Sequence, residues 1–319
     1  MEEITETVAL DSKNDAVDNT LKLEIHNLIP EIEEYIKNGV LLSPETERVI
    51  RIFNHEEDFS QILSRKDREG VLGDLNSGLK NFNRIDLMDI VPRSISTVQK
   101  LNPEKRLNNT KMYLLFTPTT RRASALKGEG VAININAFKN NKNSKEYLEN
   151  CITHELTHTF LSSLGKEPIE GNNDLKREMY DFLWWEGIAQ YVEPYHSEIQ
   201  NMIEKDLDSW KEILSLWFKI DSKENKKELM ERIKGLSSFK EVMRYRHGMG
   251  YEELLEQELQ KDTEDEAIKN LLVREGLGYF LGAILWKNEI GEGKEIRDLV
   301  MKGSEEMSGW IEGSEKIVK

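Results

Sequence analysis

The stretch CITHELTHTF, residues 151–160, constrains this chain more than any other segment. It sits in a run where Leu148, Ile152, Leu156, Phe160 and Leu164 recur every four residues, so a single helix is expected over 145–164 with one apolar stripe. Ser144 caps its start and Gly165 is a natural stop. Positions i and i+4 of a helix share a face. His154 and His158 can therefore offer two imidazole nitrogens to one zinc ion, and Glu155 lies where it can take a proton from water activated by that ion. In a chain with six histidines and 43 glutamates, chance supplies roughly 0.015 such patterns. Two helical histidines making ordinary hydrogen bonds are the competing reading.

A third protein ligand is usual for a catalytic zinc. The helix expected over 175–192 supplies a candidate. Its centre, FLWWEGIAQYV, is apolar nearly all round, so it should be buried, yet it carries Glu186. A carboxylate in such a setting is costly unless it is paired or bound to metal.

Strands are expected on the N-terminal side of the histidine helix. KMYLLFTPT, from Lys111, reads as a strand ended by Pro118. Val131, Ile133, Ile135 and Ala137 alternate over Gly130–Phe138 with the period of a half-buried strand. Earlier in the chain, helices are expected over 21–37 and 44–64, the second capped by Ser43 ahead of Pro44. Residues 1–20 lack an apolar period and read as a frayed tail, and 70–101 resist assignment. From about Ser197 the chain reads as helices with polar connections. The expected division is a tail (1–20), a mainly helical N-terminal region (21–110), a core with strands and both motif helices (111–195), and a helical C-terminal part (196–319).

Composition narrows the function. With 44 basic and 59 acidic side chains the net charge is −15, which argues against nucleic acid and anionic membranes as partners. Cys151 is the single cysteine, so neither an intrachain disulfide nor a multi-cysteine metal site can form. Its small side chain, one turn before His154, reads as a buried packing residue. No apolar run reaches the ~20 residues of a spanning helix, and the acidic start lacks the features of a secretory leader. A cytoplasmic protein is expected. His26, His55 and His196 read as surface or satisfied histidines.

HELTH followed by a helix bearing WWEGIAQY resembles the gluzincin superfamily of zinc metallopeptidases. HELTH is similar to the form in thermolysin-like enzymes, and WWEGIAQYVE to a segment of aminopeptidase N-like enzymes. The resemblance implies His154, His158 and Glu186 as zinc ligands and Glu155 as general base. Tyr279-x-x-Gly282 in GYFLGAILW resembles a segment whose tyrosine hydroxyl stabilises the tetrahedral oxyanion. His247, Tyr245 and Tyr251 are further candidate donors. The resemblance also implies that an edge strand ahead of the zinc helix pairs with the substrate backbone. Gly130–Phe138 is expected in that place, and its Asn136-Ala137-Phe138 is similar to a thermolysin-like Asn-Ala segment. Two features depart from the pattern. The GxMEN segment that anchors a free substrate amine is absent. Gln190 stands where an acid four residues after the ligand glutamate usually orients a histidine.

The expectation is an α+β, zincin-like fold, with a small mixed sheet on the HExxH helix, a mainly helical C-terminal part and N-terminal helices. The expected activity is zinc-dependent hydrolysis of peptide bonds in a peptide or protein substrate. The alternative is a binding or regulatory protein that keeps such a fold without hydrolysis.

Overall fold

The structure, a computed structural model, describes residues 5–10, 21–83, 85–105, 107, 110–119, 121–126, 129–140, 144–168, 174–195, 198–219, 222–247, 263–274 and 276–312. The fold is mixed α+β and mostly helical, with one small mixed sheet. It divides into two compact units, Met1–Gly165 and Lys166–Lys319.

The first unit holds the sheet. Its strands are β1 (Thr5–Leu10), β2 (Leu21–Asn27), β3 (Thr110–Leu115), β4 (Ala123–Leu126) and β5 (Gly130–Asn134), in the order β1-β2-β3-β5-β4. β2, β3 and β5 run parallel, while β1 and β4 close the edges antiparallel. Two expectations fail here. Part of the supposed tail is β1, and the first half of the supposed helix over 21–37 is β2; only Ile29–Asn38 is helical, as α1. Both strands form through pairing with residues outside their own segments, which a local helical period does not report. Met112, Leu115, Val131 and Ile133 are fully buried. Gly130, at φ +148°, lies against the Lys111 carbonyl where a Cβ has no room.

Short helices follow β2. Gly39 at φ +70° ends α1, its N–H bonded to Tyr35 O. Ser43 caps α2 (Pro44–Phe53), accepting from Thr46 N at 3.3 Å. The helix expected to run to 64 breaks where His55 and Glu56 take positive φ, and resumes as α3 (Phe59–Ser64). The unassigned stretch forms α4 (Arg68–Phe82) and α5 (Leu87–Gln99).

The strand expected over Gly130–Phe138 ends at Asn134, and Ile135–Phe138 form a 3-10 turn. The buried Asn134 side chain explains the switch. Its Oδ1 accepts from Thr117 N (3.0 Å) and Asn136 N (3.1 Å), and its Nδ2 donates to Thr117 O (3.0 Å) and Arg121 O (2.9 Å). One side chain thus pins both the end of β5 and the loop leading into β4.

The histidine helix is α6 (Ser144–Ser163). Leu148, Ile152, Leu156 and Phe160 are fully buried and the helix packs on β4, β5 and α5. Buried Glu149 receives a bidentate pair from Arg93 of α5 at 2.8 and 2.9 Å, and Thr153 Oγ1 donates to Ser94 Oγ at 2.9 Å. Hydrogen bonds from Arg93 and then Lys145 hold the neighbouring Asp89 carboxyl down to about 2, so it is ionised at neutral pH.

The second unit is helical. Its elements are α7 (Leu175–Tyr191), α8 (Glu198–Lys205), α9 (Leu207–Trp217), α10 (Lys223–Gly235), α11 (Ser237–His247), α12 (Glu264–Lys269), a π-type turn over Asn270–Arg274, α13 (Leu277–Gly291), α14 (Ile296–Lys302) and α15 (Glu306–Glu312). Residues 248–262 lie outside the described residues. α7 and α13 cross backbone to backbone. A Cβ on Gly187 would stand 2.5 Å from Gly282 C, and one on Gly282 would overlap Leu183 O and lie 2.7 Å from Gly187 Cα. Trp286 Nε1 donates to Trp184 O at 3.1 Å, and Trp310 packs edge-on against Trp286.

Helix propensity alone makes Gly282→Ala stabilising by ~1 kcal/mol. The crossing reverses that sign, because overpacking a tight contact costs about 1–3 kcal/mol or more. A net loss of about 2 kcal/mol is expected from denaturant unfolding. A variant as stable as the parent would show that the crossing is looser than described.

Among the described residues, no helix is long and apolar enough to cross a membrane.

Candidate metal centre

α6 carries the histidines one turn apart, beside the stripe that goes to the core. His158 is buried and His154 half-buried. Their Nε2 atoms face each other at 3.1 Å, with ring planes at 85° and centroids 4.8 Å apart. A tetrahedral ion ~2.0–2.1 Å from two imidazole nitrogens separates them by about 3.3 Å. The pair therefore fits a zinc-type donor set with little movement.

Glu155 points toward the sheet. Its Oε2 accepts from the backbone N–H of Ala125 in β4 at 2.6 Å. The register explains why that N–H is free of the ladder. Asn134 N donates to Arg122 O, and Ser124 faces Ala132. Alternation then turns the backbone groups of Ala123 and Ala125 to the open edge. One carboxylate oxygen of Glu155 is thus held by the strand. Thr159 adds a second tie between helix and sheet, donating to Gly130 O at 3.2 Å.

This corrects one expectation. The strand beginning at Gly130 is not an edge. β4 pairs antiparallel along it, from Ala123 opposite Ile133 to Leu126 opposite Gly130, so β4 is the edge beside Glu155. Sequence reasoning missed Ala123 and Ala125 because a four-residue Ala-Ser-Ala-Leu strand carries no alternating signal, and the contribution comes from backbone.

Glu186 lies on α7, half-buried, on a helix whose Leu183, Trp184, Ile188 and Ala189 are buried. It immediately precedes Gly187 of the α7–α13 crossing. Tyr279 lies near the start of α13, half-buried, its ring edge-on to Phe182 at 5.5 Å and 86°. Gly278 and Gly282, on either side of it, allow α13 to approach α7 this closely. Gln190 donates through Nε2 to Glu193 at 2.7 Å, so its amide nitrogen is committed within its own helix end. His247 ends α11, but its side chain and that of Tyr245 lie outside those described, as does all of Tyr251. Cys151 is half-buried rather than buried. His26 stacks on Tyr113 at 4.9 Å, and His55 Nε2 lies 2.6 Å from Arg121 Nη1, whose charge lowers the imidazole pKa. His196 lies outside the described residues.

Residues 7–262 match the model of a family described as "Putative zinc dependent peptidase (DUF5700)". No curated protein and no solved structure matches the chain. Zinc is the cofactor that the family description carries, and two imidazoles converging from one helix are donors suited to it. The match spans well over half of the sequence, and the chain belongs to the family that this model describes.

Proposed function

We propose that the chain hydrolyses peptide bonds as a gluzincin-type metallopeptidase with a zincin-like arrangement of sheet and helix. His154, His158 and Glu186 are the zinc ligands in this reading. The observation that carries the reading is the 3.1 Å approach of the two Nε2 atoms on a helix whose Glu155 is hydrogen-bonded to an edge strand.

Zinc, when bound, supplies a Lewis acid that makes water a nucleophile at neutral pH and polarises a carbonyl. The chain's residues do the rest. Glu155, with Oε2 held by Ala125 N–H, takes the proton of the attacking water on its other oxygen and delivers it to the leaving amine. Tyr279 donates a hydrogen bond to the developing oxyanion, ahead of His247 in that role. The open edge of β4 receives the extended substrate backbone through the N–H and C=O of Ala123 and the C=O of Ala125, whose N–H stays on Glu155.

The test is metal content and cleavage together. Protein purified without chelator or histidine tag should carry about one zinc per chain. It should cleave peptides in a digest, lose cleavage on chelation, and regain it with zinc. Zinc-free protein that stays zinc-free when zinc is supplied would overturn the reading.

A further inference from the structure

A cavity of about 580 Å³ lies within the first unit, at the beginning of β4. That volume is in the usual range for ligand pockets. Its walls include Lys66, Asp74, Arg122, Asn136, Lys139 and Tyr147. Two measures set it within reach of the proposed substrate. Arg122 precedes Ala125 by three residues, about 10 Å along a strand. Tyr147 precedes His154 by seven residues, also about 10 Å along a helix.

The charges in this cavity are unevenly committed. Its two acids are used within the fold: Asp67 caps α4 by accepting from Gly70 N at 2.8 Å, and Asp74 pairs with Lys139 at 2.5 Å. Among the described residues, Lys66 and Arg122 have no carboxylate partner. The other arginines of this unit that form ion pairs do so at close range: Arg48 with Glu129, Arg51 with Asp58, Arg65 with Glu57 and Arg93 with Glu149. Arg122 instead lies over the Tyr147 ring, 5.1 Å from its centroid. Stacking of this kind orients a guanidinium while leaving its N–H edge to bind a carboxylate through two hydrogen bonds.

A second, independent feature points to a ligand. Asn136 is only 7% exposed, and its Nδ2 donates to Thr119 O at 3.1 Å, but its buried Oδ1 has no hydrogen-bond partner. A buried acceptor left unpaired costs about 1–3 kcal/mol, and a turn of the side chain toward the cavity would let an N–H of a bound peptide relieve that cost. Donor-rich cations and an unused acceptor in one cavity match a peptide segment bearing a side-chain carboxylate.

We infer that this cavity is a specificity subsite that selects an aspartate or glutamate two to four residues from the scissile bond, with Arg122 as its principal anchor and Lys66 in support. The inference rests on the peptidase reading above and names a substrate class for it. The net charge of −15 does not oppose it, because exposed charges farther off than the ~8 Å screening length act weakly at physiological salt.

The test is cleavage-site profiling. The zinc-loaded full chain is incubated with a chymotryptic digest of a whole proteome, and new termini are read by mass spectrometry. Arg122→Glu, Arg122→Lys and Glu155→Gln are run in parallel. Arg122 is exposed, and equal zinc content in its variants verifies that they are folded. The wild type should enrich Asp and Glu at one position two to four residues from the cut. Arg122→Glu should lower the acidic-to-neutral ratio of kcat/KM about tenfold or more and favour Lys or Arg there instead. Arg122→Lys should keep a weaker acidic preference. Cleavage with the same preferences in wild type and Arg122→Glu overturns this inference alone. Cleavage no higher than the Glu155→Gln background overturns the peptidase reading, and this inference with it.

Discussion

Glu155→Gln should bind zinc as the parent does and lose turnover by about 10³-fold, within the range that general-base catalysis contributes. The two halves of that expectation come from two atoms of the side chain. Oε2 accepts the Ala125 N–H, and a glutamine carbonyl oxygen can do the same, so the helix–strand contact survives. The other oxygen becomes an NH2 group, which can donate but cannot take a proton from water. Zinc per chain by elemental mass spectrometry and cleavage of a peptide digest measure the two halves separately. Turnover within a few-fold of the parent would remove Glu155 from the reaction. Loss of zinc together with turnover would mean that the carboxylate supports the metal rather than the proton transfer.

Glu186→Ala should weaken zinc binding at least ~100-fold. Even an indirect partner of a ligand typically costs 10–100-fold when removed, and a direct ligand should cost more. Occupancy after gel filtration in metal-free buffer should fall to about a tenth of the parent's or less. Thermal unfolding supplies a readout that does not depend on catalysis. Zinc at ~100 times its Kd stabilises a folded binder by about 2.7 kcal/mol, so added zinc should raise the parent's midpoint and leave the variant's almost unmoved. Zinc-free parent and variant are measured alongside, so the shift on adding zinc is read separately from any change that the truncation makes by itself. Unchanged zinc content in Glu186→Ala would take this residue out of the ligand set and leave the third ligand to be sought elsewhere.

The sequence by itself determined the elements whose physics is local. The four-residue recurrence from Leu148 to Phe160 sets α6, and the His154–His158 spacing on that helix sets the convergence of the two imidazoles. Ser43 before Pro44 announces the start of α2, and the FLWWEGIAQYV block announces the buried helix that bears Glu186. Each depends on residues within a turn or two of one another, so the period and the caps suffice. Tertiary structure alone decided what depends on distant partners. Residues 21–27 follow a sheet rather than a helix because β1 and β3 flank them. β4 rather than β5 is the open edge, because strand order is set by pairing that no strand records in its own residues. Gly187 and Gly282 lie 95 positions apart and acquire meaning only where α7 and α13 touch. The Glu155–Ala125 hydrogen bond and the Arg122 cavity have the same origin: they join short, patternless segments, and only the closed chain brings them to one place.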